Sequence, residues 1–220
     1  MTLLRFSTRD IPPAGRKDAV ESVLRASSGV VVDFVRGEPI AVEMGMRALP
    51  GVQLVECGAS SFKCRNATTD DQFILVIGLA GAGLMKHPGG GVAIRAGHAT
   101  LAPLDGPWTT VALEPVSLVS IALPRALLPP HLTGIDSALS HGLPSSTPMH
   151  LLAAYTKTLL GEKLSISQDE AALFATHIRD LAGLVLGARG DAAETAKARG
   201  FRGAQLASIK ADIAGHIGNP

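Results

Sequence analysis

Cysteine is scarce in this chain, with only Cys57 and Cys64 among 220 residues. A disulfide-stapled secreted scaffold is therefore excluded, because a chain of this length buries a core that needs no staple, and both thiols are expected to be reduced. Excess charge is lacking as well. Twenty basic residues stand against 19 acidic ones, for a net charge of +1, so no uniform field draws the chain to nucleic acid or to an anionic membrane. Long apolar runs are absent too. The longest, Phe73 to Met85, carries small residues in its C-terminal half and falls short of the roughly 20 needed to span a bilayer. The N-terminus places Arg5, Arg9 and Asp10 where a signal peptide would have its apolar stretch. A soluble, cytoplasmic protein without membrane contact is expected, and with 46% hydrophobic residues it has enough to fill a core, which excludes a disordered chain.

The signatures of catalysis are also missing. A metal site in a small β-domain needs two or three histidines and a carboxylate converging from adjacent strands. The chain has no His-x-His pair; His87 and His98 are the only histidines of its β-rich part, and His87, in a glycine-rich loop, is expected to be solvated. Gly58-Ala59-Ser60-Ser61-Phe62 lacks the second glycine of a nucleophile elbow. Gly78-Leu79-Ala80-Gly81-Ala82-Gly83 lacks the Lys-Ser/Thr of a phosphate loop, and its glycines suit a crowded bend between strands. Glu43, Glu56, Asp70, Asp71, Asp105 and Glu114 lie at turns or on outward faces and read as surface charge. No catalytic residue, metal or cofactor is expected, and the chain is not expected to be an enzyme.

What is present is a change of pattern along the chain. Residues 14–26 carry Ala19, Val20, Val23 and Leu24 on one face, the spacing of a short amphipathic helix. From Pro39 to Leu123 short β-rich runs alternate with Gly, Pro, Ser and Asp, the signature of an antiparallel sandwich or barrel. Pro50-Gly51, Gly58 to Ser61 and Pro88 to Gly91 are turns that would join neighbouring strands into hairpins. Helical periodicity then takes over. Met149–Leu160 and Gln168–Leu186 each carry one apolar stripe, residues 187–203 read as a linker, and residues 204–217 form a last helix.

Small β-barrels favour ligands in their interiors and mouths. Candidate ligand contacts are Arg65, Phe73, His98 and Trp108, with Met44 and Met46 as adaptable filler. Arg65 would either snorkel at the rim or reach inward to an acidic ligand. Leu152, Tyr155 and Leu159 on one helix, and Phe174, Ile178, Leu181 and Val185 on the next, are candidates for a dimer interface.

Five short segments, in order, resemble the N-terminal domain of AraC-type transcription regulators. They are Phe6 to Asp10 with Pro13 and Arg16; Arg65 with the Asp70-Asp71 turn and the run Phe73 to Gly83; Arg95 to Leu101; Leu123 to Leu128; and Leu206 to Pro220. His98 stands where that family commonly has Asp, and Ala19-Val20 where it often has Trp. The resemblance implies an α+β fold: a cupin-like antiparallel β-barrel or sandwich with a short N-terminal helix and a C-terminal helical dimerisation region. It divides the chain into an effector-binding unit (1–125), a helical dimerisation region (126–188), a linker (189–203) and the first helix of a truncated helix-turn-helix domain (204–220). It implies a small-molecule effector, a homodimer, and DNA contact only through a missing C-terminal domain, which the terminal Gly218-Asn219-Pro220 turn would lead into. The alternatives are a cupin-like binding protein or a metal-dependent barrel enzyme.

Overall fold

The computed structural model describes residues 2–66, 70–88, 90–128, 132, 134–162, 164–188 and 190–217. Gly89 of the expected glycine turn and the Gly218-Asn219-Pro220 end lie outside the described residues.

Strand β1 (Leu3–Ser7) precedes helix α1 (Arg16–Ser28), and β2 (Val30–Phe34) follows at once. The helix ends at Gly29, whose φ of 59° only glycine adopts without strain and which lets the chain reverse into β2. Strands β3 (Val42–Leu49), β4 (Val52–Ala59), β5 (Phe62–Asn66), β6 (Gln72–Ala80), β7 (Ala82–His87), β8 (Gly90–Arg95), β9 (Ala99–Pro103), β10 (Thr109–Ala112) and β11 (Val116–Pro124) come next. Among the described residues four α-helices follow: α2 (Ile135–Ser140), α3 (Thr147–Leu159), α4 (Gln168–Val185) and α5 (Gly190–Ile217). The β-rich part thus begins earlier than Pro39, since β1 and β2 are too short for alternation to stand out beside α1.

The strands form two antiparallel sheets, one ordered β1-β3-β4-β11-β6-β9 and the other β2-β5-β10-β7-β8. The architecture is a two-sheet antiparallel sandwich, not a closed barrel, within an α+β fold. Two of the expected hairpins are present. Gly51, at φ 67°, turns β3 back onto β4, and β7 pairs with β8 from His87 opposite Gly90 onward. The third turn has a different role, for Gly58 to Ser61 carries the chain from β4 in the first sheet to β5 in the second. Gly81, at φ 71°, makes the corresponding crossing from β6 to β7, and a Cβ there would lie 2.2 Å from the Pro115 carbonyl oxygen.

The six-stranded sheet is buried on both faces. Side chains alternate across a strand, so Leu54, Phe73, Leu75, Ile77, Leu101, Val119, Ile121 and Leu123 face the helices, where they form one core with Met149, Leu152, Tyr155, Leu159, Phe174, Ile178 and Leu181. Helix α4 is started by a capping box in which Ser167 Oγ accepts from the Glu170 amide at 3.3 Å and the Ser167 amide donates to Glu170 Oε2 at 3.0 Å.

The stretch expected to be a linker is instead the first half of α5, which is continuous from Gly190 to Ile217. Alanine is the strongest helix former, and the small residues read as flexible are there to let two helices approach closely. Ala193, Ala196 and Ala204 are buried. Gly200 lies against Leu181, and Gly203 lies so close to the His177 ring that a Cβ would come within 2.1 Å of Nδ1. Arg199 closes the contact with Asp180, at 3.1 Å. No helix among the described residues is long and apolar enough to cross a membrane.

Candidate functional site

The other face of the six-stranded sheet lines an interior cavity of about 470 Å³ between the two sheets. Alternation again decides which residues reach it. Met44 and Met46 come from β3, Gln53, Val55 and Cys57 from β4, Gln72, Ile74 and Val76 from β6, and Leu118, Ser120 and Ala122 from β11. The second sheet supplies Val32 from β2, Phe62, Cys64 and Asn66 from β5, Met85, Ile94, and Thr110 from β10, with Trp108 just before it. Helix α1 covers one side with Val20 and Leu24.

The two ends of the cavity differ in chemistry. Where β4 crosses to β5, Val20, Val32, Val42, Ala59, Phe62, Ala112 and Val116 close it with an apolar cluster. At the opposite end the strand register brings together Gln53, Asn66, Gln72, Asp70 and Trp108, with Arg25 and Ser27 from the end of α1. Gln53 Nε2 donates to the Ser27 carbonyl at 3.1 Å and so ties α1 to the sheet beneath it. Asn66 Nδ2 donates to the Gly106 carbonyl at 2.8 Å, and its Oδ1 accepts from the Trp108 amide at 2.9 Å, which fixes the loop that carries the indole.

One polar atom on this wall, Trp108 Nε1, is buried without a hydrogen-bond partner. Leaving such a group unpaired costs about 1–3 kcal/mol. Cys64, opposite Thr110 in the β5–β10 register, and Cys57 both line the cavity as free thiols. Burial pushes each up to about 12, with Thr110 hydrogen bonds partly opposing the rise at Cys64. Both are therefore protonated thiols at neutral pH and act as weakly polar walls, not as nucleophiles.

Among the residues expected to touch a ligand, Met44, Met46 and Trp108 line the cavity together. The other three are elsewhere, Arg65 and Phe73 by one residue of strand parity and His98 because it lies in a turn. Arg65 lies between the inward Cys64 and Asn66, so it is exposed on the outer face of β5, settling the choice between rim and interior toward solvent. Phe73 alternates with the inward Gln72 and Ile74, faces the helical core and carries Arg125 4.0 Å above its ring. Arg125 is held there by Asp71 at 3.0 Å and Asp105 at 2.8 Å. His98 is exposed in the β8–β9 turn, with Nδ1 3.2 Å from its neighbour Ala96 O. His87 is not solvated as expected: it is half-buried, with Nε2 2.8 Å from the Leu139 carbonyl oxygen of α2.

The seven residues expected at a dimer interface are also placed differently. Leu152, Tyr155, Leu159, Phe174, Ile178, Leu181 and Val185 are at most 9% exposed, covered within one chain by the sheet, by each other and by α5. Each stripe is used up by the intramolecular core, so none of it is left for a second copy. Gln53, Gln72, Cys57, Cys64, Thr110 and Ser120 escaped the sequence reading, although their phase relative to Met44, Met46 and Trp108 was the available signal.

Among the described residues, no three His, Cys, Asp or Glu side chains gather closely enough to hold a metal ion. The geometry is that of a cavity with a neutral interior and one charged residue of each sign, Arg25 and Asp70, at its mouth.

Comparison with known proteins adds an independent line. The sequence profile of the AraC-binding-like domain family matches residues 19–187. No curated protein matches the sequence. Among solved structures, the AraC-like transcriptional activator CuxR superposes with a TM-score of 0.66 at 19% identity, over 86% of this chain and 72% of that one. A Cupin_2 domain of an XRE family regulator from Enterobacter cloacae aligns at 13% identity and a TM-score of 0.33, over 44% of this chain and 100% of that one.

Proposed function

Because the chain belongs to the AraC-binding-like domain family, we propose that it is the ligand-sensing module of an AraC-type transcription regulator and that its effector occupies the cavity between the two sheets. The observation that carries this reading is the double use of one sheet. One face is filled by α3 and α4, while the other surrounds about 470 Å³ closed at its far end. That volume lies within the range of small-molecule sites. Membership in a regulatory family favours this role over an enzyme's.

Residues 1–125 form the effector-binding unit, 126–188 the helical region packed on it, and α5 the segment through which the sensor connects to a DNA-binding unit. The regulator works as a homodimer, whose contact uses surfaces other than the buried stripes of α3 and α4. Effector binding shifts how two DNA-binding units are held, which requires that the effector favour one arrangement over another.

The test is a thermal-shift screen of a metabolite library against wild type and the cavity-filled variant Ser120→Leu/Ala122→Leu. A ligand at a hundred times its Kd should raise the wild-type Tm by about 5–10 °C and leave the filled variant unmoved. Hits that stabilise both proteins equally would place the ligand elsewhere. Sedimentation velocity at rising concentration tests the dimer, and a monomer throughout would remove that part.

A further inference from the structure

The chemistry of the cavity walls narrows what the effector can be. We propose that the ligand is an uncharged, predominantly apolar molecule with a single hydrogen-bond acceptor group, such as a ketone, aldehyde or ester carbonyl, which accepts from the indole N–H of Trp108. This rests on the reading of the cavity as the effector site and adds the class of molecule to it.

Three observations converge. First, no charged side chain lines the interior. Arg25 and Asp70 touch the cavity, but both are exposed and of opposite sign. A carboxylate or phosphate drawn fully inside would lose its hydration without a counter-charge, which apolar surroundings penalise heavily. Second, the far end is closed by aliphatic and aromatic side chains such as Val32, Val42 and Phe62, and the middle carries Met44, Met46 and Met85, whose flexible thioethers mould to apolar shapes. A sugar-like ligand with hydroxyls all round would leave most of them unpaired there. Third, the indole N–H of Trp108 is buried, on a residue only 6% exposed, and has no partner. An indole nitrogen only donates, so the group that completes it must be an acceptor.

The orphan indole donor and the polar mouth lie at one end and the apolar cluster at the other, which gives the ligand a direction. Its acceptor sits beside Trp108 and its apolar body points toward the β4–β5 crossing.

The test uses three compounds of matched shape: 6-phenylhexan-2-one, its carboxylate counterpart 5-phenylpentanoate, and hexylbenzene. Isothermal calorimetry measures their binding to wild type, to Trp108→Phe and to Ser120→Leu/Ala122→Leu. Trp108 is the chain's single tryptophan, so a change in its emission independently reports occupancy in the wild type. The ketone should bind wild type at least about tenfold more tightly than the carboxylate. It should also lead hexylbenzene by about tenfold, a lead that Trp108→Phe abolishes while leaving hexylbenzene binding unchanged. Carboxylate binding equal to or tighter than the ketone's, blocked in the filled variant, would overturn the ligand class while keeping the cavity as the site. A ketone lead that survives Trp108→Phe would overturn the role of the indole. If none of the three binds wild type, the ligand class is overturned, while the library screen against the filled variant decides the cavity reading separately.

Discussion

The two faces of the six-stranded sheet are built from the same strands and nearly the same composition, yet they do different work. On β6, Phe73, Leu75 and Ile77 meet the helices in a core whose largest side chains are fully buried, whereas Ile74 and Val76, one residue out of phase, border unfilled space. A β-strand's side-chain period of two makes this possible, because a single sequence position separates scaffold from site. The filled face holds the fold together, and the open face is left free to respond to a ligand.

Substitution on each face measures that difference. Leu181→Asp puts an unpaired carboxylate into the helix–sheet core and should leave no cooperatively folded protein by circular dichroism. Leu75→Ala should cost about 3 kcal/mol in urea unfolding, because a close-packed site cannot collapse around the lost atoms. Val76→Ala on the same strand should cost about 1 kcal/mol, since its neighbours already border empty volume. Equal costs at the two positions would mean that the inter-sheet face is as tightly filled as the helical one.

The α4–α5 contact is the next largest effect. Gly203→Val would drive side-chain atoms into the His177 ring and should cost about 1–3 kcal/mol. Limited proteolysis should then cut within α5 while the sandwich stays intact. A variant as resistant as wild type would show that α5 is not held at this point.

A smaller effect concerns His177, whose Nδ1 lies 3.0 Å from the Tyr155 hydroxyl. Burial, and secondarily Arg199, hold its pKa below the ordinary 6.5. As pH falls below 6.5 the unfolded chain takes up the proton before the folded one does. The stability this neutral ring contributes is therefore present above pH 6.5 and lost as pH drops toward the lowered value. The urea midpoint should fall between pH 7 and pH 5.5 in wild type and fall less in His177→Gln. An identical slope in both would assign the acid sensitivity to other groups.

The general plan of the fold was legible in the sequence. The α1 pattern, the strand-and-turn spacing between Val42 and Pro124 and the stripes of α3 and α4 each match an element. Less legible was the destination of a stripe. Periodicity shows that Phe174 and Leu181 are apolar-faced but not what covers them: Phe174 meets Tyr155 of α3 edge-on and Leu181 lies against Gly200 of α5, within one core shared with the sheet. The candidate site was half legible, because Met44, Met46 and Trp108 stood out as residue types while phase was not followed from strand to strand. Arg65 and Phe73 are both one step off the inward face. The Ala- and Gly-rich start of α5 was misread because close helix packing and flexibility favour the same small residues.

The most direct test uses methionine methyl groups as reporters of both faces. Met44, Met46 and Met85 line the cavity and Met149 is fully buried in the helical core. In methyl spectra of methionine-labelled protein under xenon pressure, an apolar probe that enters cavities, the three cavity resonances should shift while Met149 stays in place. If Met149 moves as far as the others, or if none moves, the division of this sheet into a filled face and a receptive one is contradicted.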